Sequence, residues 1–111
     1  MKVVEGELRK QGLTIHRVET VDQPFFKPQG KAVIVYDEQM IQLFEFTNVK
    51  EAENVRSTIS PDGMTIATTK PFWAEPPHFF HRERLLVLYV GQDKKILTAL
   101  EAVFGPQFAG K

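Results

Sequence analysis

The sequence predicts an α+β domain in which two to three helices pack on a mainly antiparallel sheet of about six strands. Amphipathic segments with clear end signals alternate with short runs rich in branched and aromatic residues, a pattern typical of mixed folds. The 111 residues are 42% hydrophobic and 25% charged, an ordinary globular composition. A chain of this length can bury one core, so we expect a single domain over residues 1–111.

The predicted helices are recognised by their end signals. Asn48, with Glu51 three residues later, is typical of a capping box, and Asp93 is a good N-cap for the last helix. Gly12 and Gly105 mark where the first and last helices should stop. The predicted helices span residues 3–11, 48–59 and 93–104.

The remaining apolar runs predict strands. The runs on either side of Asp37 and Glu38 should pair as one hairpin, and the last two runs should form another. Leu85–Val90 is apolar on both faces, so helices on one side of the sheet are not enough, and the aromatic loops, a second subunit or a ligand must cover the other face. The predicted strands span residues 13–18, 32–36, 41–46, 64–69, 78–81 and 85–90.

The order of elements indicates a possible internal αβββ duplication. Residues 1–47 and 48–104 each read as a helix, a strand, a loop containing Pro-Phe-aromatic, and a hairpin. In this alignment, Pro24-Phe25-Phe26 matches Pro71-Phe72-Trp73. Chance recurrence of a short motif is the alternative explanation.

Composition excludes several classes of function. Lys plus Arg and Asp plus Glu both number 14, and this balance argues against general nucleic-acid binding, which needs a basic surface. The absence of cysteine excludes disulfides, thiolate catalysis and iron–sulfur clusters. Leu85–Val90 is the longest apolar run and is far too short for a transmembrane segment.

Only the histidines suggest metal or catalytic chemistry. His78 and His81 flank two phenylalanines, with Glu75 nearby. Prolines precede this segment and a β-rich run follows, so a strand is expected, and residues three apart on a strand point to opposite faces. The sequence also lacks a nucleophile elbow and a phosphate-binding glycine loop. We therefore expect no catalytic residue, no metal site and no cofactor.

The clustered aromatic residues are the most informative feature. Phe25 and Phe26 lie between two prolines, and Phe72 and Trp73 lie between Pro71 and Pro76. Adjacent residues on an extended chain point in opposite directions, so one member of each pair should face outward and mark a binding surface. The alternative is that these loops pack onto the sheet as core. The candidate binding residues are Phe25, Phe26, Phe72, Trp73, His78 and Phe80.

Several short motifs give the chain a resemblance to a known family. They are Ser60-Pro61-Asp62-Gly63, Pro77-His78-Phe79, Leu88-Tyr89-Val90-Gly91 and Gly105-Pro106-Gln107-Phe108-Ala109-Gly110. With them, nearly the whole chain resembles a family of small uncharacterised bacterial proteins, many of them apparent lipoproteins.

The resemblance implies no established activity and no catalytic residues, only a grouping by fold and a preference for the cell envelope. This sequence has neither the signal peptide nor the lipidated cysteine of that pattern. We therefore expect either the cell envelope, if a leader was removed, or the cytoplasm. Relatives often have glycine at the hairpin tips, where this chain has Glu38 and Glu83, so these two residues are expected at positive φ.

These observations together predict a non-catalytic binding or interaction module that uses the Pro-flanked aromatic loops. Its ligand would be a protein partner or an apolar small molecule. One alternative is a structural homodimer formed through the sheet face, which would also cover Leu85–Val90. The other is a metal-binding protein or enzyme that uses His78 and His81.

Overall fold

A computed structural model of the protein describes residues 2–110 and confirms the predicted α+β class. Six strands form one sheet in the order β1-β2-β3-β5-β4-β6, and every neighbouring pair is antiparallel. The helices are α1 (Lys2–Lys10), α2 (Val49–Arg56) and α3 (Lys94–Phe104). The strands are β1 (Arg17–Val21), β2 (Gly30–Ile34), β3 (Met40–Glu45), β4 (Pro77–Arg82), β5 (Leu85–Val90) and β6 (Ala109–Gly110).

Apolar residues are buried on both faces of the sheet. The helical core lies under α1 and α3 and consists of Val4, Leu8, Leu13, Val33, Val35, Ile41, Leu43, Phe80, Leu85, Val87, Tyr89, Ile96, Ala99, Leu100 and Phe104. The aromatic core lies under α2 and the long loops and consists of Phe26, Phe44, Phe46, Ala52, Ile59, Ile66, Phe79, Leu86, Leu88 and Ala109. The protein is therefore a three-layer structure with the sheet in the middle.

The apolar strand β5 shows why both layers are needed. Val87 and Tyr89 point into the helical core, whereas Leu86 and Leu88 point into the aromatic core. Side chains alternate along a strand, so a strand that is apolar throughout needs cover on both sides. Helices α1 and α3 cover one face, and the aromatic loops, one of the three candidates for the other face, cover it together with α2.

The two N-cap residues predicted from the sequence, Asn48 and Asp93, make the expected capping hydrogen bonds. Asn48 Oδ1 accepts a hydrogen bond from the Glu51 N–H at 2.8 Å, and Asp93 Oδ1 accepts one from the Lys95 N–H at 2.9 Å. Helix α2 ends at Arg56, earlier than the predicted residue 59. The hydroxyl of Ser57 donates to the Asn54 carbonyl at 2.6 Å, a local bond that competes with continued helix.

Two predicted strands are wrong in position or type. Residues 13–16 are irregular because Leu13 is buried in the helical core, and strand pairing begins only at Arg17. Residues 64–69 form turns with two isolated bridges, at Ile59–Ile66 and Ile66–Thr69. Only Ile66 is buried in that segment, so no alternating face holds a strand against the sheet. The two-residue strand β6 was not predicted.

Both predicted hairpins are present. Strands β2 and β3 flank a short 3₁₀ turn over Tyr36–Glu38, and β4 and β5 are joined directly through Glu83 and Arg84. Glu38 has φ 56° and Glu83 has φ 52°, so the expected positive φ of both residues is confirmed. The duplication stays a hypothesis, and the segment of the second half that should match β1 contains no strand.

Candidate functional site

The first aromatic loop packs into the protein. Phe26 is only 5% exposed, and its ring centroid lies 4.7 Å from that of Phe44. Phe25 is half-buried and meets Phe26 edge-on at 4.8 Å and Trp73 at 5.8 Å. Phe26 is thus a core residue, and Phe25 links the two aromatic loops.

In the second aromatic loop, Trp73 packs against the protein and Phe72 is exposed to solvent. The Trp73 Nε1–H donates a hydrogen bond to the Gly63 carbonyl at 2.8 Å, and its ring meets Phe79 edge-on at 6.1 Å. Phe72 is 91% exposed. Adjacent residues point in opposite directions here, as the sequence predicts, because Trp73 packs against the aromatic core.

His78 and Phe80 lie away from these loops. Phe80 is buried in the helical core, on the opposite face of the sheet from Trp73. His78 is buried, with Nδ1 at 2.8 Å from Gln107 Oε1 and Nε2 at 2.9 Å from the Gly91 carbonyl. Both ring nitrogens of His78 already have hydrogen-bond partners, and Phe80 is buried. His78 and Phe80 therefore do not form one surface with Phe72.

The two neighbouring histidines do not converge. His78 stacks on Tyr89 of the helical core at 6.0 Å, whereas His81 meets Phe108 on the other face. Their strand placement is the one expected from the sequence. Within residues 2–110, no group of three or more His, Asp or Glu side chains is placed to hold a metal ion.

An acidic groove of about 510 Å³ lies beside the second aromatic loop, at the end of β3 and β5. Asp37 and Glu38 of the β2–β3 turn and Glu75 of the loop line it, and none of its nine lining residues is basic. Arg17 lies behind the turn and donates hydrogen bonds to Glu38, which lowers the pKa of that carboxyl.

A smaller apolar hollow of about 260 Å³ lies on the other side of Glu75. Met64, which is 41% exposed, lines it together with Trp73. We use the name Phe72 surface for the set Met64, Phe72, Trp73 and Glu75. This surface therefore combines an apolar loop with the rim of an acidic groove.

A network of hydrogen bonds next to the acidic groove stabilises the turn that lines it. The Tyr36 hydroxyl donates to Asp93 Oδ1 at 2.7 Å, and Gln39 Nε2–H donates to Asp93 Oδ2 at 3.3 Å. Burial and the bond to Asp93 raise the pKa of Tyr36 to about 12, and the same bond lowers the pKa of Asp93. The Tyr89 hydroxyl donates to Gln39 Oε1. These groups satisfy one another, so they hold the turn and the start of α3 in place.

The acidic groove could not be found from the sequence. Asp37 and Glu75 are far apart in the chain, and both line the same groove only because β3 pairs with β5. Asp37 also suits a turn without any further role, so no signal distinguished it. Phe72, in contrast, was identified by its Pro-flanked aromatic motif.

No protein-family model, curated protein or solved structure matches this chain. Among the helices of residues 2–110, none has both the length and the apolar character needed to span a membrane.

Proposed function

We propose that the protein is a non-catalytic binding module that holds a protein partner through the Phe72 surface. The observation that carries this proposal is the 91% exposure of Phe72 on a loop whose neighbouring residue is anchored. Burying a phenylalanine side chain contributes about 1.5–3 kcal/mol, and such anchors dominate many protein interfaces.

The loop that carries Phe72 is pre-organised for binding. Pro71 restricts the backbone on one side of Phe72, and Trp73 is held to Gly63 on the other. A pre-ordered loop loses little conformational entropy on binding, so more of the contact free energy is available as affinity.

The shape of the surface favours a protein over an apolar small molecule. Phe72 protrudes into solvent and has to be received by a pocket in the partner. The larger cavity reaches the loop at Glu75, three residues after Phe72, and it carries the carboxylates of Asp37, Glu38 and Glu75. A partner with an apolar pocket next to lysine or arginine side chains complements both features.

A stability comparison first separates a binding role of the loop from a core role. Phe72→Ala should change the free energy of unfolding by less than about 0.5 kcal/mol, because the side chain is exposed. Phe26→Ala is the matched control and should cost about 3–5 kcal/mol, because Phe26 is buried against Phe44. Equal losses for the two variants would identify Phe72 as a core residue.

The binding test uses a displayed library of small folded peptides with randomised surfaces, which can form a pocket, selected on the immobilised protein. Selected peptides should be enriched in basic and apolar residues, and their affinity should fall at least about tenfold for Phe72→Ala. Val3→Ala is the control, since Val3 is an exposed valine on α1 that belongs to neither the Phe72 surface nor β1. Peptides that bind Phe72→Ala as tightly as the unmodified protein would contradict the proposal.

A further inference from the structure

Strand β1 lies at the edge of the sheet, and its outer edge and most of both its faces are exposed to solvent. It pairs with β2 along one edge only, and four of its five residues are exposed, with Val21 half-buried. The helical layer does not extend over β1, and the aromatic layer reaches it only at Val21. An open edge presents backbone N–H and C=O groups that can pair with another strand.

We propose that β1 is the interface of a weak homodimer, in which it pairs antiparallel with β1 of a second copy. The two six-stranded sheets then form one continuous sheet. The opposite edge cannot serve equally, because β6 is only two residues long.

Symmetry and charge together select one register. A two-fold axis perpendicular to the sheet keeps each side chain on its own face, so residues that pair must be an even number of positions apart. In one such register Val18 faces Val18 of the partner subunit on the axis, and Arg17 faces Glu19 of the partner subunit. Unlike charges directly opposite one another stabilise a strand pair.

The adjacent symmetric registers are unfavourable. Moving the axis to Glu19 places Glu19 opposite Glu19 of the partner subunit, and moving it to Arg17 places two arginines opposite each other. Like charges in directly opposed positions destabilise a sheet. An axis through Thr20 places Glu19 opposite Val21 and pairs no unlike charges, so among the axes through residues 17 to 20 only the one through Val18 gains charge pairs.

Arg17 already contacts two carboxylates. Its guanidinium donates to both carboxylate oxygens of Glu38 at 3.0 Å and also to Glu19 of its own strand. In the dimer it keeps the bonds to Glu38 and exchanges the bond to its own Glu19 for one to Glu19 of the partner subunit. In this register only Arg17, Val18 and Glu19 oppose residues of β1 in the second copy. So short a ladder buries less than the roughly 1,600 Å² of a standard interface, and we expect a dissociation constant on the order of 100 µM.

A charge exchange followed by sedimentation tests the register. From about 10 µM to about 1 mM, the unmodified protein should shift from the mass of one 12.7 kDa chain towards twice that mass. Arg17→Glu and Glu19→Arg should each remain monomeric, because each creates like-charge pairs. An equimolar mixture of these two variants should dimerise again, since every opposed pair is then unlike. A monomeric unmodified protein at all concentrations, or variants that dimerise as well as it does, would overturn the proposal.

A disulfide test does not depend on the charged side chains. The chain contains no cysteine, so Val18→Cys introduces a single thiol that the register places opposite its own copy. Mild oxidation should link Val18→Cys into a covalent dimer, since directly opposed residues lie within disulfide range. Thr20→Cys is the control on the same face, because its copy lies about 14 Å away along the ladder. Equal crosslinking of both variants would reject the register.

This interface is separate from the Phe72 surface. Phe72→Ala should leave the concentration dependence of the mass unchanged, and Glu19→Arg, which keeps the Arg17–Glu38 bonds, should bind the selected peptides normally. The failure of one proposal is therefore distinguishable from the failure of the other.

Discussion

Glu83 has a backbone conformation that favours glycine. It is the first residue of the loop between β4 and β5 and has φ 52°. A side chain in this region crowds the following carbonyl, whereas glycine adopts the conformation freely. We expect Glu83→Gly to be neutral or to raise the free energy of unfolding by about 0.5–1 kcal/mol in urea denaturation. Glu83→Ala keeps the crowding and should show no gain, and a clear loss for Glu83→Gly would contradict the strain argument.

Asp93 combines a helix cap with a link to the β2–β3 turn. Its carboxylate accepts hydrogen bonds from the N–H groups of Lys95 and Ile96 and from the Tyr36 hydroxyl. Losing an N-cap typically costs about 1 kcal/mol, so Asp93→Ala should be less stable by about that amount at pH 7.

The contribution of Asp93 should depend on pH. Its bond to Tyr36 places the pKa of the folded protein below that of the unfolded chain, which is about 3.9. The stabilisation is therefore complete above the unfolded value and is lost as the pH falls through the folded one. Urea titrations at pH 7 and in acid should show the gap between the unmodified protein and Asp93→Ala narrowing below about pH 4. A gap of constant size would show that the carboxylate charge contributes nothing.

At the scale of elements, Arg82 connects two helices to the sheet. It donates to both carboxylate oxygens of Glu7 in α1 at 3.0 Å, and to the Val103 carbonyl of α3 at 3.1 Å. Its guanidinium also lies 5.3 Å from the centre of the Phe104 ring. The ion pair lowers the pKa of Glu7 and raises that of Arg82.

Removal of Arg82 should therefore loosen the helical layer. We expect Arg82→Ala to cost about 1–2 kcal/mol, because it loses the packing of the side-chain stem as well as the ion pair. Arg84→Ala is the control, since Arg84 pairs with Glu45 in a half-exposed geometry and should cost less than about 0.5 kcal/mol. Thermal unfolding of both variants measures the difference, and losses of equal size would contradict a special role for Arg82.

At the scale of the whole molecule, β5 makes the two cores depend on each other. Each core takes alternate side chains of this one strand, so neither can lose its packing without disturbing the other. We expect one cooperative unfolding transition. Trp73 fluorescence, which reports the aromatic core, and far-ultraviolet circular dichroism should give the same midpoint.

A substitution on one face should accordingly be detected from the other. Leu8 is buried in the helical core, and Leu8→Ala should cost about 2–5 kcal/mol. The Trp73 signal should report that whole loss, although Trp73 packs on the opposite face of the sheet. An unchanged midpoint for Trp73 would show that the two cores unfold separately.

The sequence by itself determined the features that depend on neighbouring residues. Helix α3 could be predicted from its apolar stripe between Asp93 and Gly105, and β5 from its continuous apolar run, because these signals are local. The need for cover on both faces of β5 followed from the same run. The aromatic loop that carries Phe72 was also identified from the sequence.

Only the tertiary structure decided how distant segments are used. Leu13 reads as part of a strand but is buried in the helical core. The strand expected over residues 13–18 lies at Arg17–Val21, where an uncovered edge strand shows no apolar alternation to mark its bounds. Phe26 and Phe72 occupy similar motifs, yet one is core and the other is solvent-exposed. Each motif is a proline followed by two aromatic residues. They differ in whether another part of the chain packs against the phenylalanine ring. This packing depends on long-range strand pairing, which local sequence patterns do not show.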